Sequence, residues 1–267
     1  MRSRVASRWS RHAWQPVTRC GAIRDDTAME IVIESDAQAL AVRAAGWIAD
    51  AIRRRPDLSL LVATGASPMA TYAELAGLHA RGALDTSALR PVQLDEYLGL
   101  APGDPRSLAG WMERSFSAPL GIEAERVIQL DLADDPELGC AMFARAVRAA
   151  GGIDLAVLGL GPNGHLGFNE PPSPADAPTR VVELTPESIV SNETYWGAGN
   201  VPVRAATAGM DLIMAARRVL LIVEGERKRE ILARTLDDPP TPLVPASLLQ
   251  RHPDVTVLCD RAAREWA

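Results

Sequence analysis

The segment Asp154–Pro171, DLAVLGLGPNGHLGFNEP, limits what this chain can fold into more than any other stretch. Its first half is a continuous apolar run. Short runs of this kind are strands buried on both faces, as in a parallel sheet covered by helices on either side. The run then breaks into glycines, and a loop carrying Asn163, His165, Asn169 and Glu170 follows. Parallel sheets bind ligands at the carboxyl ends of their strands. A His and a carboxylate placed there are candidates for acid–base chemistry on a small molecule.

The rest of the sequence repeats the alternation of apolar strand and amphipathic helix. Strands are expected at 30–34, 58–63, 91–94, 126–130, 153–159, 203–208, 218–223 and 255–259. This is the pattern of an α/β fold with a doubly wound, mainly parallel, Rossmann-like sheet. The first helix opens at Ser35–Asp36 and places Leu40, Ala41, Ala44, Ile48, Ala51 and Ile52 on one face. A second presents Met69, Tyr72, Ala73 and Ala76. A third, over 136–149, presents Leu138, Met142, Ala146 and Ala149, and a fourth, near 226–236, turns Ile231 and Leu232 inward.

With no internal repeat and no linker, residues 29–267 read as one domain. Met29 opens a clean strand, MEIVIES, so residues 1–28 read as a disordered extension or a mis-assigned start. Their Arg-rich, acid-poor beginning also fits a transit-type segment. The Pro-rich stretch 169–180 reads as a mobile loop beside the chemistry.

Gly159, Gly161 and Gly164 match the G-x-G-x-x-G pattern of dinucleotide sites. That pattern needs a helix directly after the glycines. Here Pro171, Pro172 and Pro174 interrupt any such helix, so the dinucleotide reading fails.

Charge and cysteine usage exclude other classes. Residues 1–28 carry six Arg against Asp25 and Asp26, a net of +4, which leaves 22 basic and 32 acidic residues elsewhere, a net of −10. An acidic body argues against a nucleic-acid partner. No apolar run is long enough to span a membrane. Cys20, Cys140 and Cys259 are scattered, and none of the four histidines pairs at i, i+4, so neither a disulfide framework nor a metal site is expected. A reducing cytoplasm fits that usage. The chain has a single lysine, Lys228, among 28 basic residues. A compact ammonium in so Arg-rich a sequence marks a position needing a point charge.

Three more strand ends carry chemistry. Thr64-Gly65-Ala66-Ser67-Pro68 follows the strand at 58–63, with Ser67 expected as N-cap and Pro68 at the first helical position. Free N–H groups there suit a phosphate. Asp95-Glu96-Tyr97 follows 91–94, and a buried carboxylate of that pair is a candidate base. Glu224-Gly225-Glu226-Arg227-Lys228 follows 218–223, bringing Lys228 to the same sheet edge.

Together, TGASPMATYAEL (64–75), LDEYLGL (94–100), LGLGPNGHLGFNEP (158–171) and VLLIVEGERKREIL (219–232) resemble the glucosamine-6-phosphate deaminase (isomerase) family, within a group shared with 6-phosphogluconolactonases. The FNEP ending is that of the deaminase branch. The resemblance covers about 30–260.

It implies ring opening of an amino-sugar phosphate, aldose-to-ketose isomerisation and release of ammonia, with no metal or organic cofactor. His165 would open the ring, Asp95 would carry the C2 proton to C1, and Glu170 would orient His165, beside Asn163 and Gly164. Thr64, Gly65, Ala66, Ser67 and Lys228 would hold the phosphate, Glu96 and Gly164 would touch substrate, and a lid from about 163 to 185 would exclude water. The partner would be a small-molecule sugar phosphate, with no nucleic acid or membrane; homo-oligomers also occur in such families.

Three positions depart from the family pattern. Asn163 stands where Asp is frequent. Thr194 stands where a phosphate-binding Arg is frequent, and Arg180 or Arg204 is the expected substitute. PSPADAP at 172–178 differs from the usual lid. The alternatives are a lactonase-type hydrolase and a sugar-phosphate-binding protein without turnover.

Overall fold

The computed structural model describes residues 29–265, and the expectations for residues 1–28 lie outside them. In chain order the elements are β1 (Met29–Glu34), α1 (Ala37–Arg54), β2 (Ser59–Val62), α2 (Ala66–Ala80), β3 (Arg90–Gln93), β4 (Asp95–Tyr97) and α3 (Leu108–Met112). There follow α4 (Pro136–Ala149), β5 (Leu155–Gly159), β6 (Arg180–Glu183), α5 (Pro186–Trp196), β7 (Arg204–Thr207) and α6 (Met210–Met214). The chain continues through β8 (Val219–Val223), α7 (Arg229–Asp237), β9 (Val255–Asp260) and α8 (Arg261–Arg264).

The main sheet is parallel, in the order β1-β9-β8-β5-β2-β3. Side chains alternate across it, as the period of two requires. Leu60, Val62, Leu155, Val157, Leu220 and Ile222 enter one core with α1 and α2. Leu61, Ala156, Leu158, Val219, Leu221 and Val223 enter the other, under α4, α6 and α7. This is the doubly wound arrangement expected from the apolar runs. Among the described residues no helix is long and apolar enough to cross a membrane.

A second, antiparallel sheet of order β4-β7-β6 sits beyond the main one. The expected strand at 203–208 is therefore β7 of this small sheet, not a member of the parallel one. Leu94 alone separates β3 from β4. The chain thus passes from one sheet to the other at the residue before Asp95.

Several expectations are corrected. Residues 126–130 form no strand; the segment makes only a bridge between Ile128 and Val92. The Gln93 side chain accepts the Leu130 N–H at 3.0 Å, which replaces the next ladder bond. The inward face of α4 is Cys140, Phe143, Ala144 and Val147, while Leu138 and Met142 are 58% and 55% exposed. The stripe bearing the bulky Phe143 wins over the one read from sequence. On α2, Thr71, Tyr72 and Leu75 are buried and Ala73 is exposed. α1 follows expectation, with Asp36 accepting the Ala39 N–H at 2.9 Å as its N-cap. Ile231 and Leu232 of α7 face inward, also as expected.

Candidate active site

The turn after β5 is built around one histidine. No helix follows its glycines, which removes the dinucleotide context. A Cβ on Gly161 would run into the His165 ring, so only glycine lets the ring lie over the backbone there. Gly164 has φ +85° and its carbonyl accepts the Ala246 N–H at 2.8 Å. His165 Nδ1 lies 3.3 Å from Glu170 Oε2 and 3.2 Å from the Ser188 hydroxyl. With a carboxylate at Nδ1, that nitrogen carries the proton and Nε2 is left for a ligand.

Asn163 completes the cluster. Its amide donates to Glu170 Oε2 at 2.8 Å and its carbonyl oxygen accepts the His165 N–H at 3.2 Å. Thr185 also donates to Glu170 Oε2, at 3.3 Å. Burial pushes the Glu170 carboxyl up, but the bond and charge from His165, with help from Ser188 and Asn163, outweigh it and hold the group at about 2. Ser188, buried on α5, was not foreseen from sequence; a small polar residue seven positions before Tyr195 carries no local signal.

Asp95 and Glu96 are both buried but differ in every other respect. Glu96 accepts from the Tyr97, Leu108 and Ala109 N–H groups at 2.8–2.9 Å and from the Ser107 hydroxyl at 2.8 Å. It is the N-terminal clamp of α3 and is unlike the substrate contact expected of it. The Asp95 carboxyl has no hydrogen-bond or ion-pair partner among the described residues. Burial, reinforced by the neighbouring Glu96 charge, pushes it up to about 8.

The small sheet ties Asp95 to the histidine turn. Asp95 pairs with Thr207, whose hydroxyl accepts the Phe168 N–H at 3.1 Å. The Tyr97 and Phe168 rings pack at 5.3 Å.

The loop after β2 differs in detail from expectation. α2 starts at Ala66, with Gly65 (φ +108°) at the cap position and no side-chain cap bond. Ser67 is therefore inside the first turn and not the N-cap. Lys228 closes a short 3₁₀ turn after β8, at the same sheet edge. Burial depresses its ammonium, and it has no hydrogen bond or ion pair among the described residues.

Arg180 does not stand free as a substitute for the Arg expected at Thr194. Its guanidinium donates to Asn169 Oδ1 at 2.9 Å, the Pro178 carbonyl at 3.1 Å and the Ser173 hydroxyl at 2.7 Å. Arg204 and Thr194 are both exposed. These bonds to Arg180, with Ser173 N–H to the Pro242 carbonyl at 3.0 Å, tie the stretch 169–180 to its surroundings.

Residues 34–258 match the family model of glucosamine-6-phosphate isomerases/6-phosphogluconolactonases. The chain belongs to this family. It is 40% identical over 237 residues to a glucosamine-6-phosphate deaminase of Cutibacterium acnes, covering 88% of this chain and 91% of the relative. The figures for one from Rhodopirellula baltica are 40%, 88% and 94%. A solved structure of a monomeric glucosamine-6-phosphate deaminase superposes with a TM-score of 0.86 at 35% identity, covering 88% of this chain and 98% of that one. A 6-phosphogluconolactonase from Trypanosoma cruzi shares the fold at a TM-score of 0.71 and 20% identity, over 88% and 95%. As a member of the glucosamine-6-phosphate isomerase/6-phosphogluconolactonase family, the chain sits nearer the deaminase branch.

Proposed function

We propose that this chain converts glucosamine-6-phosphate and water to fructose-6-phosphate and ammonia. The observation that carries the reading is the buried Asp95 carboxyl, unpartnered and raised to about 8, on a strand joined through Thr207 to the turn of His165. Proton abstraction beside a carbonyl needs a desolvated base of this kind and a separate acid–base group.

His165 Nε2 takes the proton of the anomeric hydroxyl and passes one to the ring oxygen, which opens the ring. Asp95 then removes the C2 proton. The C–H electrons form the C1–C2 double bond, and the aldehyde oxygen takes a proton from the C2 ammonium of the substrate. Asp95 returns its proton to C1, leaving a protonated imine at C2. Water adds to that imine and ammonia leaves, giving the ketone. Glu170 and Asn163 hold the His165 ring in the tautomer that leaves Nε2 open. Gly65, Ala66 and Ser67, with Thr64 and Lys228, carry the phosphate, and 163–185 with α5 covers the sugar. The reaction uses no metal or organic cofactor and takes place in the cytoplasm.

The test is ammonia release from glucosamine-6-phosphate, with galactosamine-6-phosphate and unphosphorylated glucosamine alongside. Release from the first substrate alone supports the reading. Release from the second and not the first moves the chain to another hexosamine phosphate. Absence of release from all three rejects deamination.

A further inference from the structure

The first amide of α2 is already occupied. Ala66 N–H donates to the Tyr195 hydroxyl at 3.0 Å, although 129 residues separate them in sequence. Tyr195 stands near the end of α5, and its oxygen lies 3.9 Å from where a Gly65 Cβ would be. The hydroxyl therefore sits in the mouth of the loop that the functional reading gives to the phosphate. Two oxygens cannot both lie about 3 Å along one N–H, so a phosphate oxygen on Ala66 requires this hydroxyl to leave.

We propose that Tyr195 is a built-in occupant of the phosphate cradle, an intramolecular competitor whose hydroxyl stands in for a phosphate oxygen until substrate displaces it. This rests on the reading of the Gly65–Ser67 loop as the phosphate site. Three further observations fit the role. Tyr195 is 38% exposed, so the ring is not locked in a core. It borders an open pocket of about 370 Å³ lined by Trp111, Arg114, Ser115 and Trp196, which gives the ring room to withdraw. Trp111 and Trp196 meet the ring edge-on at 5.1 and 6.2 Å, contacts that hold it loosely in its present position.

The same helix carries Ser188, whose hydroxyl touches His165 Nδ1 at 3.2 Å. Seven residues along a helix span about 10.5 Å. One helix thus contacts the phosphate loop at one end and the acid–base histidine at the other. Displacing Tyr195 reports phosphate arrival to the element that touches His165.

The experiment is calorimetric titration of inorganic phosphate into the full chain and into Tyr195→Phe, which keeps the ring and its packing. Removing the competing hydroxyl should tighten phosphate binding by roughly two- to tenfold, the worth of one net hydrogen bond. The KM for glucosamine-6-phosphate should fall by the same factor. Unchanged or weaker phosphate binding in Tyr195→Phe overturns the proposal, the weaker case making the hydroxyl a phosphate ligand instead. Failure of phosphate to bind either protein overturns it as well. Ammonia release by the unaltered chain is scored separately. Tighter phosphate binding without ammonia release would keep the competitor and reject the deaminase reading.

Discussion

Asp95 and Glu96 are consecutive buried carboxylates, yet Glu96 is held by four donors at 2.8–2.9 Å while the Asp95 carboxyl is held by none among the described residues. Successive residues of a strand point to opposite sides. One side of β4 meets the start of α3, and Glu96 is consumed in capping it. That leaves Asp95 as the carboxyl available for proton transfer.

Asp95→Asn should lower kcat by about 10²–10⁴-fold, the usual worth of a general base. The folded protein holds the Asp95 proton up to about 8, against an ordinary value of 3.8. Between those values the native state binds the proton more tightly than the unfolded chain, so this group's contribution to stability falls as pH rises. Asp95→Asn cannot ionise. It should match the parent near pH 4 and exceed it by several kcal/mol at pH 8, at about 1.4 kcal/mol for each pH unit between the two values. Urea unfolding at both pH values measures this, and a variant that is less stable at pH 8 would refute the assignment. For the parent, kcat/KM should climb toward pH 8 as the base form is populated.

Glu96→Gln should act on stability first. The new amide group faces backbone donors and leaves them short of an acceptor, at about 1–3 kcal/mol. For a chain of this size that is roughly 2–10 °C in Tm. Thermal unfolding reads it directly. A large rise in KM at unchanged Tm would restore Glu96 to the substrate site.

Gly161→Ala should injure catalysis through His165 alone. The added methyl collides with the imidazole and pushes it off its place beside Glu170 and Ser188. Misplacement of a catalytic group by about 1 Å costs on the order of 10²-fold. Steady-state kinetics of Gly161→Ala beside His165→Gln checks the point: the two losses should be comparable and the double variant no worse than either.

Lys228→Ala should raise the KM for phosphorylated substrate about tenfold or more, as expected for one charge-assisted contact. kcat should change less. An unchanged KM would remove Lys228 from the phosphate site.

Much of the fold was legible because burial on both faces writes itself as apolar runs. β2, β5, β8 and β9 carry that signature, and so do the Asp36 cap and inward face of α1. The small sheet was legible only in its middle strand, β7. β4 and β6 have three and four residues and contain Asp95, Glu96, Arg180 and Glu183, which no apolar period would select. The α4 face was misread because Leu138 and Met142 form a stripe as regular as that of Phe143 and Val147. The choice between the two is made by the sheet above them. In the site, His165, Glu170, Asn163 and Asp95 were visible from residue type and strand-end position. Ser188 and Tyr195 were not, because their partners are far away in sequence.

The single residue between β3 and β4 has a consequence for anyone redesigning this protein. Asp95 is positioned by two hydrogen-bonded ladders at once, parallel through Gln93 and antiparallel through Thr207. Such a position averages over many backbone bonds, so a distant point substitution shifts it little. The glycine turn and α5, by contrast, are held by individual side chains such as Asn163, Ser188 and Tyr195. A change of sugar preference is therefore better sought in those side chains than in the strand that carries Asp95.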